Sequence, residues 1–159
     1  MPTRCASRYA CGHQVEVGGY WCRECQEEAA RSDLPGAAVA LAMVPNLNPA
    51  YQPTLLNSSS VMARMQLARR TDLDRRIRRQ LLRDSDGGVV FVAAASREND
   101  PVDLYRLLAG ADRDLLKVLA GNVAVPLRGL RLLCDHGDPE ISSVARRTFL
   151  AAYEAARAS

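Results

Sequence analysis

The chain has 159 residues, of which 25% are charged and 5% aromatic, and its formal net charge is +3. This length accommodates one ordinary domain, or a small module joined to a larger one. The longest uncharged apolar run, residues 36–44, is too short to span a bilayer, and the N-terminus lacks the hydrophobic region of a signal peptide. Arginine outnumbers lysine twenty to one, as in Arg- and Ala-rich bacterial proteomes. We therefore expect a cytoplasmic bacterial protein with no membrane partner.

Most of the chain's metal-ligating side chains lie close together near the N-terminus: Cys5, Cys11, His13, Cys22 and Cys25. In a reducing cytosol, clustered cysteines are more often metal ligands than disulfide partners. Cys22 and Cys25 are separated by two residues, a spacing that lets both thiolates point at one metal from a tight turn. The sequence therefore predicts a small metal-binding module at the front of the chain.

The ligands of this module fit a closed, structural site. Four cysteines, or three cysteines with His13, form an accepted tetrahedral zinc set, so the sequence leaves open which of Cys5, Cys11 and His13 is spared. Four thiolates also suit an iron–sulfur cluster. The glycines and the single tryptophan around the site look similar to zinc-ribbon modules. Because a closed site has no open coordination position, we expect a structural rather than a catalytic metal.

A basic segment follows an uncharged stretch. It contains eight arginines: Arg64, Arg69, Arg70, Arg75, Arg76, Arg78, Arg79 and Arg83. A helix over residues 73–83 places Leu73, Ile77 and Leu81 on one stripe and several of the arginines on another. Such a row suits the phosphates of a nucleic acid or an acidic protein surface. No aromatic residue interleaves with the arginines, so we do not expect base stacking by this segment.

Leucine pairs recur along the rest of the chain. They begin at Leu55, Leu81, Leu107 and Leu132, at intervals of 26, 26 and 25 residues. An apolar, Ala-containing run follows each pair, and each unit reads as two short helical pieces with Asp112 and Asp138 as N-caps. The run around Val89 favours a strand, the alternative to a helix there. The segment from residue 138 continues for several turns and predicts a capping helix.

These residues resemble the leucine-rich repeat variant family, whose units follow the pattern LLxDxDxxVRxxVAxNxxxPxxL. The resemblance covers roughly residues 40–151. It is carried by Leu107, Leu108, Asp112, Leu115, Val118, Leu119, Ala120, Asn122 and Pro126, and more loosely by Leu81, Leu82, Asp84, Asp86, Val89, Ala93 and Pro101. The resemblance implies a mainly α fold, a short right-handed solenoid of about four repeats. It also implies a cysteine-ligated [4Fe-4S] cluster before the repeats, the alternative to zinc.

Together these features predict two parts: a Cys-rich module and connector at residues 1–33, and a helical-repeat domain at residues 34–159. No phosphate-binding loop, catalytic triad or paired-carboxylate motif is present in the sequence, so we do not expect an enzyme. The sequence predicts a protein that binds a macromolecule, first of all another protein. An iron–sulfur redox regulator and a nucleic-acid-binding protein that uses the basic segment are the alternatives.

Overall fold

The structure, a computed structural model, describes residues 19–34 and 36–158. Within these ranges the chain is helical and contains no strand, which confirms the predicted mainly α class. None of the described helices is both long enough and apolar enough to cross a membrane. The chain divides into two compact units, the first ending at Leu81 and the second beginning at Leu82.

Five helices are described in the first unit. They are α1 (Arg23–Arg31), α2 (Ala37–Ala42), α3 (Gln52–Leu56), α4 (Val61–Ala68) and α5 (Arg75–Leu81), and a 3₁₀ turn, Pro49–Tyr51, leads into α3. Gly36 precedes α2 with a φ of 89°, a left-handed conformation that favours glycine. The helices α1 and α4 both pack against α2.

The second unit contains α6 (Gly87–Ala94), α7 (Pro101–Leu107), α8 (Arg113–Gly121), α9 (Leu127–Cys134) and α10 (Pro139–Ala158). Although its valines favour a strand, α6 is helical. The Asp86 side chain caps its first turn and Val89 is fully buried, so capping and burial outweigh a weak β propensity. The long α10 packs against α8 and α9 and occupies the position predicted for a capping helix.

Helix starts recur at a constant interval. We count the 3₁₀ turn as the start of α3. The odd-numbered helices then begin 26 residues apart, at Arg23, Pro49, Arg75, Pro101 and Leu127. Four of the even-numbered helices, α4, α6, α8 and α10, have capping side chains at the same interval. Each of these side chains accepts a hydrogen bond from an N–H of the first turn, and they are Ser60, Asp86, Asp112 and Asp138. The predicted caps at Asp112 and Asp138 are confirmed.

The buried leucines follow the same interval. Leu55, Leu81 and Leu133 are buried at equivalent positions of α3, α5 and α9, and Leu107 is half-buried at that position of α7. Leu132, the first residue of the last leucine pair, is 60% exposed. The last interval, from Leu107 to Leu132, is 25 residues long because Leu132 is a surface leucine. The core leucine is the next residue, Leu133, which lies two intervals of 26 residues after Leu81.

Two unlike side chains satisfy helix-end carbonyls across the same interval. Asn122 Nδ2 donates to the carbonyl oxygens of Ala94, at 2.7 Å, and Ser96, at 3.0 Å, which lie 28 and 26 residues earlier. Arg70 Nη1 donates to the carbonyl oxygens 28 and 26 residues before it, those of Ala42 at 3.3 Å and Val44 at 2.6 Å. The last carbonyls of a helix have no partner within that helix. An amide and a guanidinium thus perform the same task.

We predict that Asn122→Ala lowers the free energy of unfolding by about 1–3 kcal/mol, because the Ala94 carbonyl loses this donor and the Ser96 carbonyl keeps only the bond from Asn99. Asn57→Ala is the matched control, since the exposed Asn57 amide donates to Pro53 of its own helix. Urea denaturation of both variants measures the difference. Equal losses for the two variants would contradict a bridging role for Asn122.

Candidate metal centre and cationic segment

Cys22 and Cys25 lie together at the start of α1. Cys22 is the N-cap residue and Cys25 belongs to the first helical turn. Their Sγ atoms are 3.3 Å apart, Cys25 has 0% exposure, and Cys22 is partly exposed. The remaining predicted ligands, Cys5, Cys11 and His13, lie outside the described residues, so their contribution stays a prediction.

The sulfur pair fits half of a tetrahedral thiolate site. Two thiolates bound to one zinc ion at about 2.3 Å are separated by about 3.8 Å, so small side-chain rotations bring the two sulfurs to ligand spacing. In the described part of the chain no three Cys, His, Asp or Glu side chains are grouped as metal ligands. The other two ligands of a zinc site, or of a [4Fe-4S] cluster, would therefore come from the predicted set outside it.

The main chain beside the cysteines is held by two polar side chains that the sequence analysis did not select. The Trp21 N–H donates to Asn46 Oδ1 at 3.0 Å, and its carbonyl oxygen accepts from Asn46 Nδ2 and from Gln26 Nε2. Gln26, which is 3% exposed, also donates to the Asn46 carbonyl oxygen and accepts from the Asn48 N–H. The cysteine pair is thus anchored to the loop that follows α2.

The helix α1 shares the register of the later helices. Gln52, which lies one interval after Gln26, donates to the Asp72 carbonyl oxygen at 3.2 Å and accepts from the Asp74 N–H. These bonds repeat those that Gln26 makes to Asn46 and Asn48. The recurrence of glutamine at this interval was the sequence signal for both bridges. The cysteine pair therefore lies on a helix in register with the repeat.

Glu24 is an exposed carboxylate that lies beside Cys22. Its side chain is in the first turn of α1, where it accepts hydrogen bonds from its own backbone N–H and from the Cys22 thiol. These bonds lower the pKa of Glu24. A carboxylate therefore adjoins the exposed member of the thiol pair.

The basic segment contains α5, which is two residues shorter at each end than the helix predicted over residues 73–83, and the predicted stripe of Leu73, Ile77 and Leu81 is buried. Three of its arginines bond to main-chain carbonyls. Arg64 donates to Ser58, Arg70 donates to Ala42, Val44 and Pro45, and the buried Arg78 donates to Arg70 and Thr71. Charge alone did not distinguish these structural arginines from surface ones. The exposed guanidinium groups of the segment are those of Arg69, Arg75, Arg76 and Arg83, and Arg79 is half-buried.

A second Cys–His pair, Cys134 and His136, lies at the end of α9. His136 Nδ1 accepts from the Asp138 N–H at 3.0 Å, so the imidazole stabilises the turn before α10. Partial burial raises the pKa of the Cys134 thiol. These contacts are those of a helix end and the turn that follows it.

No protein-family profile, curated protein or solved structure matches this chain. Its candidate site is therefore interpreted from its own residues. The cysteine pair on α1 and the arginines of residues 64–83 are the two features that carry a functional hypothesis.

We predict that Arg70→Ala lowers the free energy of unfolding by about 1–3 kcal/mol, because it removes a donor to several carbonyls of the loop after α2. Arg69→Ala removes the same charge from the exposed neighbouring position and should change stability by less than about 0.5 kcal/mol. Chemical denaturation distinguishes them. If Arg69→Ala lowers the free energy of unfolding as much as Arg70→Ala does, the stabilisation comes from the positive charge and not from the bonds of Arg70 to the carbonyls.

Acid should weaken the Arg70–Asp72 pair. The hydrogen bond from Arg70 lowers the pKa of Asp72, so ionised Asp72 stabilises the fold above the unfolded-state pKa of about 3.9. This contribution disappears as the pH falls through the lower, folded-state pKa. The stability difference between the wild type and Asp72→Asn should therefore be constant near neutral pH and shrink below about pH 4. Thermal unfolding over a pH series, with the exposed Asp33→Asn as control, measures it; a pH-independent difference would exclude this linkage.

Proposed function

We propose that the chain is a non-enzymatic adaptor: a short right-handed solenoid of 25–26-residue helical repeats that binds another macromolecule, with a structural metal at its N-terminal end. The observation that carries the proposal is the 26-residue recurrence of helix starts, caps and carbonyl bridges. Helical repeats of this kind present extended surfaces to partners. The sequence contains no catalytic motif that competes with this function.

Burial supports the repeat interpretation. Ala37, Ala63, Val89 and Ile141 are buried and occupy equivalent positions of α2, α4, α6 and α10. Helices of six to nine residues cannot bury their apolar faces alone, so each must pack against its neighbours. Stacking of successive units is the arrangement that satisfies all of them, and we propose it for the whole repeat region.

The proposed metal is zinc, held by Cys22 and Cys25 with two ligands from Cys5, Cys11 and His13; a [4Fe-4S] cluster is the alternative. Support comes from the spacing of the two sulfurs and from their position at the N-terminus of α1, where the helix dipole stabilises thiolates. The bound metal supplies crosslinks between chain segments. Its role is to fix the start of α1, on which the first bridge by Gln26 depends.

The proposed partner is a protein with an acidic surface. Three arginines of the basic segment bond to main-chain carbonyls, which leaves fewer guanidinium groups for the long, regular row of phosphates in a nucleic acid. The exposed Arg69, Arg76 and Arg83 supply positive charge to this interaction. Arginine is also among the residues that contribute most to protein–protein binding.

Metal analysis tests the first half of the proposal. Protein purified anaerobically should contain one equivalent of zinc and be colourless, whereas a brown protein absorbing near about 400 nm would indicate the iron–sulfur alternative. Cys22→Ser and Cys25→Ser should each lose the metal and melt at a lower temperature, because the crosslink at α1 is lost. Cys134→Ser is the control and should keep both. A fully reduced, folded protein without metal would refute this half.

Charge reversal tests the second half. The triple variant Arg69→Glu, Arg76→Glu and Arg83→Glu should lose protein partners that the wild type retains. A charge-matched control carries glutamate at the exposed Arg97, Arg131 and Arg147 instead, and it should retain the protein partners. A labelled single-stranded oligonucleotide and a duplex are tested in parallel. The opposite outcome is that the wild type binds an oligonucleotide tightly and loses that binding steeply as salt is added. If the first triple variant abolishes this binding, the result favours the nucleic-acid alternative.

A further inference from the structure

We propose that Cys22 and Cys25 form a redox-active dithiol that exchanges with disulfides. This reaction goes beyond binding of a partner and does not require the metal. It would add a covalent, reversible chemistry to the start of α1. The class of substrate is a disulfide, either of a small thiol such as oxidised glutathione or of another protein.

The distance between the sulfurs supports this chemistry. The Cys22 and Cys25 Sγ atoms are 3.3 Å apart, and a disulfide requires about 2.05 Å. A shift of little more than 1 Å, shared between two side-chain rotations, closes the bond. The two residues lie three apart at the start of a helix, a separation that disulfide geometry accommodates. Oxidation therefore begins from two sulfurs that are already in contact.

The two thiols differ in exposure, which assigns their roles. Cys22 is partly exposed at the N-cap position, where an incoming disulfide can reach it. Cys25 has 0% exposure and contacts the Cys22 sulfur from inside. Cys22 is thus the attacking sulfur and Cys25 the resolving one.

The surroundings hold the pair in place. Asn46 and Gln26 bind the main-chain groups of Trp21, directly before Cys22, and the Cys22 carbonyl oxygen accepts the first helical hydrogen bond from the Gln26 N–H. A resolving thiol held at short range raises the rate of the second step, because no encounter is needed.

The reaction balances with a disulfide, RSSR, as the only oxidant. The Cys22 thiolate attacks one sulfur of RSSR; the S–S bond breaks and RS⁻ leaves and takes up a proton. The Cys25 thiolate then attacks Cys22 Sγ in the mixed disulfide and expels the second RS⁻, which is also protonated. The net change is that the protein dithiol loses two protons and two electrons and RSSR becomes two RSH.

The test uses the full-length, reduced, metal-free protein with oxidised glutathione. Intact mass and peptide mapping should find a loss of two hydrogens and a bond between Cys22 and Cys25. Trp21, the single tryptophan of the chain, precedes Cys22, so its fluorescence should change in step with the mass. A dominant bond from either cysteine to Cys5 or Cys11, or no bond at glutathione ratios that oxidise other vicinal dithiols, would overturn the proposal.

Variants separate attack from resolution. Cys25→Ser should accumulate glutathione on Cys22, because the resolving thiol is missing. Cys22→Ser should react about tenfold or more slowly at Cys25, which is buried. Cys134→Ser should behave as the wild type. Faster modification of Cys25 in Cys22→Ser than of Cys22 in Cys25→Ser would refute the assigned roles, and circular dichroism checks that each variant keeps its helices.

This outcome is distinguishable from that of the metal proposal. Metal content is measured on the protein as purified, and disulfide exchange is measured after chelation. A protein that binds zinc but forms no Cys22–Cys25 bond would refute the exchange reaction alone. A protein that is purified without metal and forms the bond would support the exchange reaction and refute the structural metal.

Discussion

Every short helix in this protein ends in carbonyl groups that its own hydrogen-bond ladder cannot satisfy, and the rest of the fold depends on how they are satisfied. Asn122 and Arg70 reach back 26 and 28 residues to such groups, and Gln26 and Gln52 reach forward to the loop main chain of the next segment. Because these bridges span a fixed number of residues, they allow little insertion or deletion between them. The constant interval is thus a requirement of main-chain hydrogen bonding as well as of apolar packing.

This requirement changes the interpretation of the N-terminal cysteines. Cys22 occupies the N-cap position of a helix that begins in the same register as the others, and the Gln26 bridge follows one turn later. Chemistry at the thiols therefore acts directly on the first bridge of the series. A bound metal and a Cys22–Cys25 disulfide are the two proposed ways to hold the same turn.

The helical class, the caps at Asp112 and Asp138 and the core leucines were predictable, because capping and periodic burial are local properties of a sequence. The bridges left only a weak signal, the recurrence of Gln26 and Gln52 at the repeat interval, since a buried polar side chain resembles a surface residue until the carbonyls that it binds are located. The same ambiguity concealed Arg70 and Arg78 within the basic segment. The ligand set of Cys5, Cys11 and His13 lies outside the described residues and stays a prediction.

One buried position of the odd-numbered helices changes its chemistry along the chain. Gln26, Gln52 and Arg78 occupy it in the first unit, and Leu104 and Leu130, both with 0% exposure, occupy it in the second. Hydrophobic stabilisation weakens on cooling. At this position the stabilisation comes from hydrogen bonds to main-chain groups in the first unit and from apolar burial in the second, so cooling weakens its contribution more in the second unit. One recurring position thus changes its response to temperature along the chain.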